Sequence, residues 1–370
     1  MDRVRMGIVG IGNIAQLNVR GYLQHEQCDV VALCDPREDK AAAMAAKWGV
    51  PHVETDLAAL LARDDIDAVE ILTPTHLHRQ HVEMAAAAGK HVSVQKPAAC
   101  SVADARAMAK AAEAAGITYR VTDNSLFTPP MVRARQLVRD GAIGEPSLIR
   151  IRTVVGQTDT PFQNALEPQG YVWRFNQHSP GGHLFDDVVH KYALALWLVD
   201  EPVDAVQAVV RQGPVFFETP SVMLFEYARP GLLGSMDVTY APDMYIRSRY
   251  YGADEFVEIQ GTEGFIWVTR HTGEMLDLPP LMLYRGKEMT SFADVDGDWG
   301  VGFDDAAKHF VDNLLQGTTP DMRPELAERV LQLCFAVYQA SAEQRRVDPR
   351  TIDDAFSPPW WPLFTSPEDQ

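Results

Sequence analysis

The sequence predicts an α/β protein: a doubly wound parallel sheet over residues 1–123, then an α+β domain over 124–370 with a mostly antiparallel sheet. Three observations carry that expectation. Across the first 122 residues, short apolar runs alternate with alanine-rich amphipathic stretches. A glycine-rich segment, Gly10-Ile11-Gly12-Asn13-Ile14-Ala15, stands directly behind the first apolar run. After Asp123 the alternation gives way to successive strand-like runs joined by turns.

In order, the pattern places strands at 4–9, 30–34, 68–73, 91–94 and 118–121, with helices at 41–48, 57–62, 80–88 and 102–115 between them. Short apolar strands separated by helices are buried on both faces, which is how a parallel sheet reads. Beyond 123 a helix at 130–139 stops near Gly141 and a strand follows at 147–155. A Gly/Pro-rich loop leads to a helix at 184–199, then strands at 205–211, 222–227, 232–240, 256–260 and 265–269. Helices at 303–315 and 324–345 follow, and the last stretch, SPPWWPLFTSPEDQ, reads as irregular.

Length and composition narrow the functional class. A chain of 370 residues suits two domains. Its 33 basic and 51 acidic side chains give a net charge of −18, which disfavours nucleic acid and anionic membrane as partners. No apolar run approaches the roughly 20 residues of a membrane span. The opening MDRVRMGIVG lacks the apolar core of a secretory leader. Cys28, Cys34, Cys100 and Cys334 form no CxxC pair, so reduced thiols and a cytoplasmic location are expected.

The Gly10–Ala15 segment is a GxGxxA. Its first glycine permits a tight turn, its second admits a pyrophosphate to the backbone, and Ala15 allows close helix–strand packing. The helix it opens aims free N–H groups at the phosphates. Asp35 ends the second strand, 23 residues beyond Gly12, near the spacing of the carboxylate that holds an adenine ribose. That carboxylate would repel a 2′-phosphate, so NAD is expected over NADP; nearby Arg37 softens the preference.

Further motifs follow in a fixed order: Thr73-Pro74-Thr75 with His78, Gly89-Lys90-His91-Val92 leading to Gln95-Lys96-Pro97, and Asn124 with Phe127 and Pro129. Then come the Gly141 to Pro146 turn, Trp173-Arg174, Gly181-Gly182, Asp186 and His190. Together these resemble the Gfo/Idh/MocA oxidoreductases (glucose–fructose oxidoreductase, inositol dehydrogenase and relatives). The resemblance implies a Rossmann domain followed by a domain with a large, open, mostly antiparallel sheet whose free face joins subunits, hence a homodimer or homotetramer. It implies oxidation of one hydroxyl of a sugar, cyclic polyol or related compound with NAD or NADP. It also places the cofactor against Gly10, Gly12, Asn13, Ile14, Asp35, Arg37, Thr73, Pro74, Thr75, His78, Gln95, Lys96 and Asn124. Two residues depart from the family pattern. Gln95 replaces a glutamate, removing a charge beside Lys96, and Thr75 replaces an asparagine.

Taking hydride from a carbinol needs a base for the hydroxyl proton and a rigid seat for the carbon. His190 is the candidate base, with Asp186 four residues earlier on the same face of a helix beginning near 184. Lys96, at the carboxyl edge of the sheet, is expected to polarise the reacting oxygen and share the proton with His190. The expected substrate contacts are Lys96, Trp173, Arg174, His183, Asp186 and His190. Asp187 and Lys191 read as an exposed ion pair. The His76, His78 and His81 cluster lacks a companion Cys or carboxylate, so no metal is expected; the resemblance makes His78 a cap of the following helix, near the cofactor. Arg174, His178, His183, Arg247 and Arg249 suit a sugar acid or another anionic carbohydrate, or pair with acidic neighbours; Tyr250 and Trp299 are sugar platforms or core. Two rivals to net dehydrogenation stay open: transient oxidation with NAD returned to its starting state, and a non-catalytic NAD-sensing regulator.

Overall fold

The computed structural model describes residues 2–166, 180–213, 217–354 and 356. These fall into two compact units, each described by itself.

The first unit contains Met1–Asn124 and Phe303–Leu331. Its six parallel strands are β1 (Val4–Val9), β2 (Cys28–Cys34), β3 (His52–Glu54), β4 (Ala68–Ile71), β5 (His91–Gln95) and β6 (Tyr119–Thr122), in the spatial order β3-β2-β1-β4-β5-β6. The chain winds outward from β1 to β3, then crosses to β4 on the other side of β1. That reversal opens a crevice beyond the carboxyl ends of β1 and β4. β4 and β6 are buried at every residue, as strands covered on both faces must be. The connecting helices are α1 (Ala15–Gln24), α2 (Glu38–Trp48), α3 (Leu57–Leu61), α4 (His78–Ala87) and α5 (Val102–Ala115). Ser101 caps α5, its hydroxyl accepting the Asp104 N–H at 3.0 Å. The three-residue edge strand β3 carries too little pattern to be read from sequence.

The described residues of the second unit are 125–166, 180–213, 217–302, 332–354 and 356. Helix α6 (Pro129–Arg139) leads into β7 (Pro146–Gln157), then α7 (Pro161–Asn164), α8 (His183–Asp186) and α9 (Val189–Trp197). The strands that follow are β8 (Val203–Gln212), β9 (Glu218–Tyr227), β10 (Leu233–Tyr245), β11 (Ala253–Gly261), β12 (Gly264–Val268), β13 (Leu281–Arg285) and β14 (Glu288–Phe292). They form one sheet, β14-β13-β12-β11-β7-β10-β9-β8, antiparallel throughout except for β7 beside β10. The β13–β14 hairpin was not expected from sequence; its outer strand is mostly exposed and lacks the alternation of a half-buried one.

One face of this sheet is core, with Ile149, Ile151, Met223, Phe225, Met236, Val238, Val257 and Ile259 all buried. Helix α9 lies in that layer: the Tyr227 hydroxyl donates to the Ala195 carbonyl at 2.9 Å. The opposite face leaves Val209, Val222, Leu224 and Leu233 each about half exposed. Val209 pairs across the ladder with Val222, and Leu224 follows two residues along β9, while Leu233 pairs with Glu226.

A late stretch of the chain packs with the first unit. Helices α10 (Val301–Gln316) and α11 (Pro324–Glu343) follow the second sheet in the chain, and Phe303–Leu331 belongs to the first unit. Ala307, Phe310, Val311 and Leu314 of α10 fill the core formed by Val4, Met6, Ile8, Val19 and Tyr22. Arg20 of α1 forks onto Asp304 at 2.7 and 2.9 Å. Periodicity shows that α10 has an apolar face but not which sheet it covers.

Candidate active site

In the first unit the candidate residues lie at the carboxyl edge of the parallel sheet. Gly10 has φ +92°, and a Cβ there would sit 2.9 Å from the Leu72 carbonyl carbon, so only glycine lets the β1 loop cross the chain leaving β4. A Cβ on Gly12 would meet nothing within 4 Å, leaving room for a phosphate beside the N-terminus of α1. Asn13 and Ile14 complete the turn, and Ile14 at the N-cap position offers α1 no side-chain cap.

Asp35 is buried, and its Oδ2 accepts the Ile11 N–H at 2.8 Å. Its Oδ1 accepts the Arg37 backbone N–H at 3.0 Å and the guanidinium Nε at 3.1 Å. Burial pushes this carboxyl upward, but the bonds from Arg37 and Ile11 outweigh it and the group stays below its ordinary value. Arg37 is thus bound to Asp35 itself, with its own side chain half exposed.

The loops after β4, β5 and β6 carry the remaining candidates. Thr75, Gln95 and Asn124 are all buried, and each holds a polar atom with no hydrogen-bond partner: Thr75 Oγ1, Gln95 Nε2 and Asn124 Nδ2. Gln95 Oε1 accepts the Lys96 backbone N–H at 2.8 Å, which ties the candidate lysine's backbone to the end of β5. Buried polar atoms are normally satisfied, so three orphans along one sheet edge have the chemistry of a site awaiting a polar ligand. Thr73 and Pro74 line the same loop. Thr73 Oγ1 lies 3.0 Å from His81 Nδ1.

His78 does not cap its helix. Helix α4 starts without a side-chain cap, and the fully buried imidazole instead spans two loops. Its Nε2 is 2.8 Å from the Thr73 carbonyl, and its Nδ1 is 3.1 Å from both the Pro97 and Ala98 carbonyls. Burial pulls its pKa down to about 4, so the ring is neutral at pH 7.

In the second unit the candidate residues lie in the segment 181–191. A single helix was expected here. The structure instead breaks it into α8 and α9 at Asp187-Val188, where the His190 N–H bonds the Asp187 carbonyl at 3.2 Å and the Lys191 N–H the Val188 carbonyl at 2.8 Å. These i→i+3 bonds tighten the turn, so the four-residue spacing of a regular helix does not relate Asp186 to His190. Asp186 is half-buried and His190 is buried. His183 is buried too, its Nε2 lying 3.5 Å from Asp187 Oδ2. Desolvation lowers its pKa.

The exposed Asp187–Lys191 pair also needs correcting. Lys191 is 2% exposed, and its ammonium donates to Asp187 at 2.8 Å and to Glu255 of β11 at 3.1 Å. Glu255 in turn accepts the Thr272 N–H at 3.1 Å and faces His271 Nδ1 at 3.3 Å. Burial disfavours both charges, but they stabilise each other enough to hold Glu255 well below and Lys191 well above their ordinary values. Alternation around Glu255 gave no warning, because a carboxylate is expected on the wet face of a strand.

Among the other candidates, Arg247 donates to the Glu274 carbonyl, and Arg249 pairs with Glu274 at 3.1 Å and Asp298 at 3.2 Å. Acidic side chains therefore engage Arg249, which favours the pairing reading there, while Arg247 bonds a backbone carbonyl. Tyr250 and Trp299 pack on each other 5.1 Å apart, with Trp299 buried, so they are core. An aromatic group that sequence reading missed stands beside His183: Phe217 is 5.1 Å from that ring and stacks on Tyr240 at 4.2 Å. Trp173, Arg174 and His178 lie outside the described residues. Among the described residues no group of three or more His, Cys, Asp or Glu is placed to hold a metal ion.

Comparison with known proteins places this geometry in context. A model described as the GFO_IDH_MocA oxidoreductase family, NAD-binding Rossmann fold, matches residues 4–123, and one for the GFO/IDH/MocA C-terminal domain matches residues 131–267. A myo-inositol 2-dehydrogenase of Thermotoga maritima is 25% identical over 353 residues, covering 93% of this chain and 98% of its own. A D-apiose dehydrogenase of Paraburkholderia graminis is 35% identical over 270 residues, 71% of this chain and 67% of its own. An oxidoreductase of Agrobacterium radiobacter, crystallised with NAD+, L-tartaric acid and magnesium, superposes with a TM-score of 0.80 at 23% identity, covering 94% of this chain and 99% of that one.

Proposed function

Because this chain belongs to the Gfo/Idh/MocA family of oxidoreductases with an NAD-binding Rossmann fold, we propose that it oxidises one hydroxyl-bearing carbon of a sugar or cyclic polyol with NAD. The observation that carries the reading is the carboxyl edge of the first unit, where the open Gly12 turn, Asp35 and the three orphaned polar groups form one row of dinucleotide-compatible positions. The curated relatives named for inositol and apiose oxidation support the substrate class.

NAD, when bound, supplies the acceptor for the hydride. The Gly10–Ile14 turn and the α1 N-terminus would hold its pyrophosphate, and Asp35 its adenine ribose. Thr75, Gln95 and Asn124 would meet its polar groups at the other strand ends. Lys96, an ammonium with three donors, steadies and polarises the substrate oxygen. His190 accepts the hydroxyl proton as the carbinol is oxidised, and Asp186 orients the substrate or the imidazole. Lys96, Asp186 and His190 are the proposed catalytic residues, with His183, Trp173 and Arg174 as substrate contacts. Asp35 favours NAD over NADP, and its partnership with Arg37 makes that preference moderate.

The half-exposed apolar side chains Val209, Val222, Leu224 and Leu233 support a homodimer or homotetramer closed through the open sheet face. The four free cysteines support a reducing, cytoplasmic setting. No helix among the described residues is long and apolar enough to cross a membrane. The test incubates purified protein with NAD and a panel of inositols, aldoses and sugar acids, following NADH absorbance and product mass together. Net NADH with a product two mass units lighter is expected. Altered sugar without NADH favours the recycled cofactor, a reading that the neutral Gln95 beside Lys96 keeps in view. Tight NAD binding with neither signal overturns the dehydrogenase.

A further inference from the structure

Nothing in the proposed chemistry uses Glu218, yet it is among the most deeply buried carboxyls of the second unit, at 1% exposure. From the start of β9 its Oε1 accepts the Gly182 N–H at 2.9 Å and the Tyr338 hydroxyl at 2.8 Å, while Oε2 accepts the Leu184 N–H at 3.0 Å. Gly182 and Leu184 open the short helix α8, which has no side-chain cap of its own. A helix that short leaves most of its N–H groups unsatisfied, and a buried unsatisfied N–H is costly. The missing cap is supplied from 34 residues away. The fit is tight: Gly181 has φ +74°, and a Cβ there would come within 2.8 Å of the Tyr338 hydroxyl. At the far end of the segment, Lys191 is pinned between Asp187 and Glu255. The stretch carrying Asp186 and His190 is therefore tied at both ends to buried carboxylates on two strands of one sheet.

We propose that Glu218 is a positioning residue: by capping Gly182 and Leu184 it fixes the backbone that sets Asp186 and His190, without itself touching substrate. This rests on the reading of His190 as the base. A carboxylate suits the task better than an amide because every group facing it is a donor, and three donors to one charged acceptor make strong, directional bonds. Burial raises the pKa of Glu218 above the ordinary carboxylate value, and those donors offset part of that rise.

The test is Glu218→Gln, which keeps the shape but turns an amide N–H₂ toward one of the donors. Hydrogen exchange at Gly182 and Leu184 is expected to quicken about tenfold, while amides in the centre of α9 and in β10 keep wild-type protection. kcat on the best substrate is expected to fall about tenfold, the equivalent of one lost charge-assisted bond, with NAD affinity unchanged. Unchanged exchange at 182 and 184 overturns the proposal, as does quickened exchange with wild-type kcat. Exchange that quickens throughout the second unit reduces Glu218 to a stability role and overturns it too. His190→Ala, measured alongside, separates the two readings. Full activity in H190A removes the base assignment, and with it the route by which Glu218 acts. An inactive H190A beside a fully active E218Q overturns the positioning alone.

Discussion

Replacing Lys191 with methionine tests the buried charge cluster most sharply, because sequence and structure assign that cluster opposite energies. An exposed i,i+4 pair contributes about 0.3–0.5 kcal/mol. The structure instead buries the ammonium to 2% exposure between Asp187 and Glu255, and Glu255 is itself buried. Methionine fills most of the lysine volume, so little cavity energy enters. What remains is a buried carboxylate at Glu255 with only Thr272 and His271 as partners, costing up to about 3–5 kcal/mol. Asp187 keeps a 38% exposed side chain and can turn its charge to water. Lys191→Met combined with Glu255→Gln should therefore recover most of the loss, a non-additivity that a double-mutant cycle reads directly. The assay is equilibrium urea unfolding at pH 7. The sign of the pH dependence follows from the shifts. Glu255 sits below its unfolded value, so its contribution is present above about pH 4.3 and is lost as the pH falls further. Lys191 sits above its unfolded value, so its contribution is present below about pH 10.4 and is lost as the pH climbs beyond. The wild-type advantage over K191M should shrink steadily as the pH falls below neutrality, because Glu255 without Lys191 loses its main charge partner, burial raises its pKa, and it takes up a proton more readily than in the wild type. A loss under about 1 kcal/mol, or a double variant no better than the single one, refutes the reasoning.

Other predictions follow from the same geometry. His190→Ala should lower kcat by about 10²–10⁴-fold in steady-state NADH assays and leave the NAD dissociation constant unchanged; survival of activity at neutral pH removes it as the base. Arg37→Ala unmasks the Asp35 charge, so the ratio of kcat/KM for NAD over NADP should rise about tenfold; an unchanged ratio means Arg37 takes no part in selectivity. Phe310→Ala should cost about 3–5 kcal/mol in urea unfolding of the first unit, since the ring is fully buried against Val4, Met6 and Tyr22; a loss below about 1 kcal/mol argues against α10 completing that core.

The sequence alone determined the parallel sheet, because its strands are short continuous apolar runs whose signal does not depend on distant partners. The Gly10–Ala15 turn and Asp35 were equally legible, being local geometry at a fixed spacing. The second sheet's middle strands were legible as well, since one wet face leaves an alternating pattern. Only the tertiary structure decided where α10 docks, because an apolar helix face fits any complementary surface. It also decided the break at Asp187-Val188, which propensities for a buried, leucine- and alanine-rich helix do not foretell. The largest difference lies in the charged residues. Lys191, Glu218 and Glu255 look like solvated charges in the sequence, because a lone charge away from water is so unfavourable that exposure is the default expectation. Folding reverses that only by bringing together partners 30 to 120 positions apart, and the energy of such pairs resides in the contact rather than in either residue.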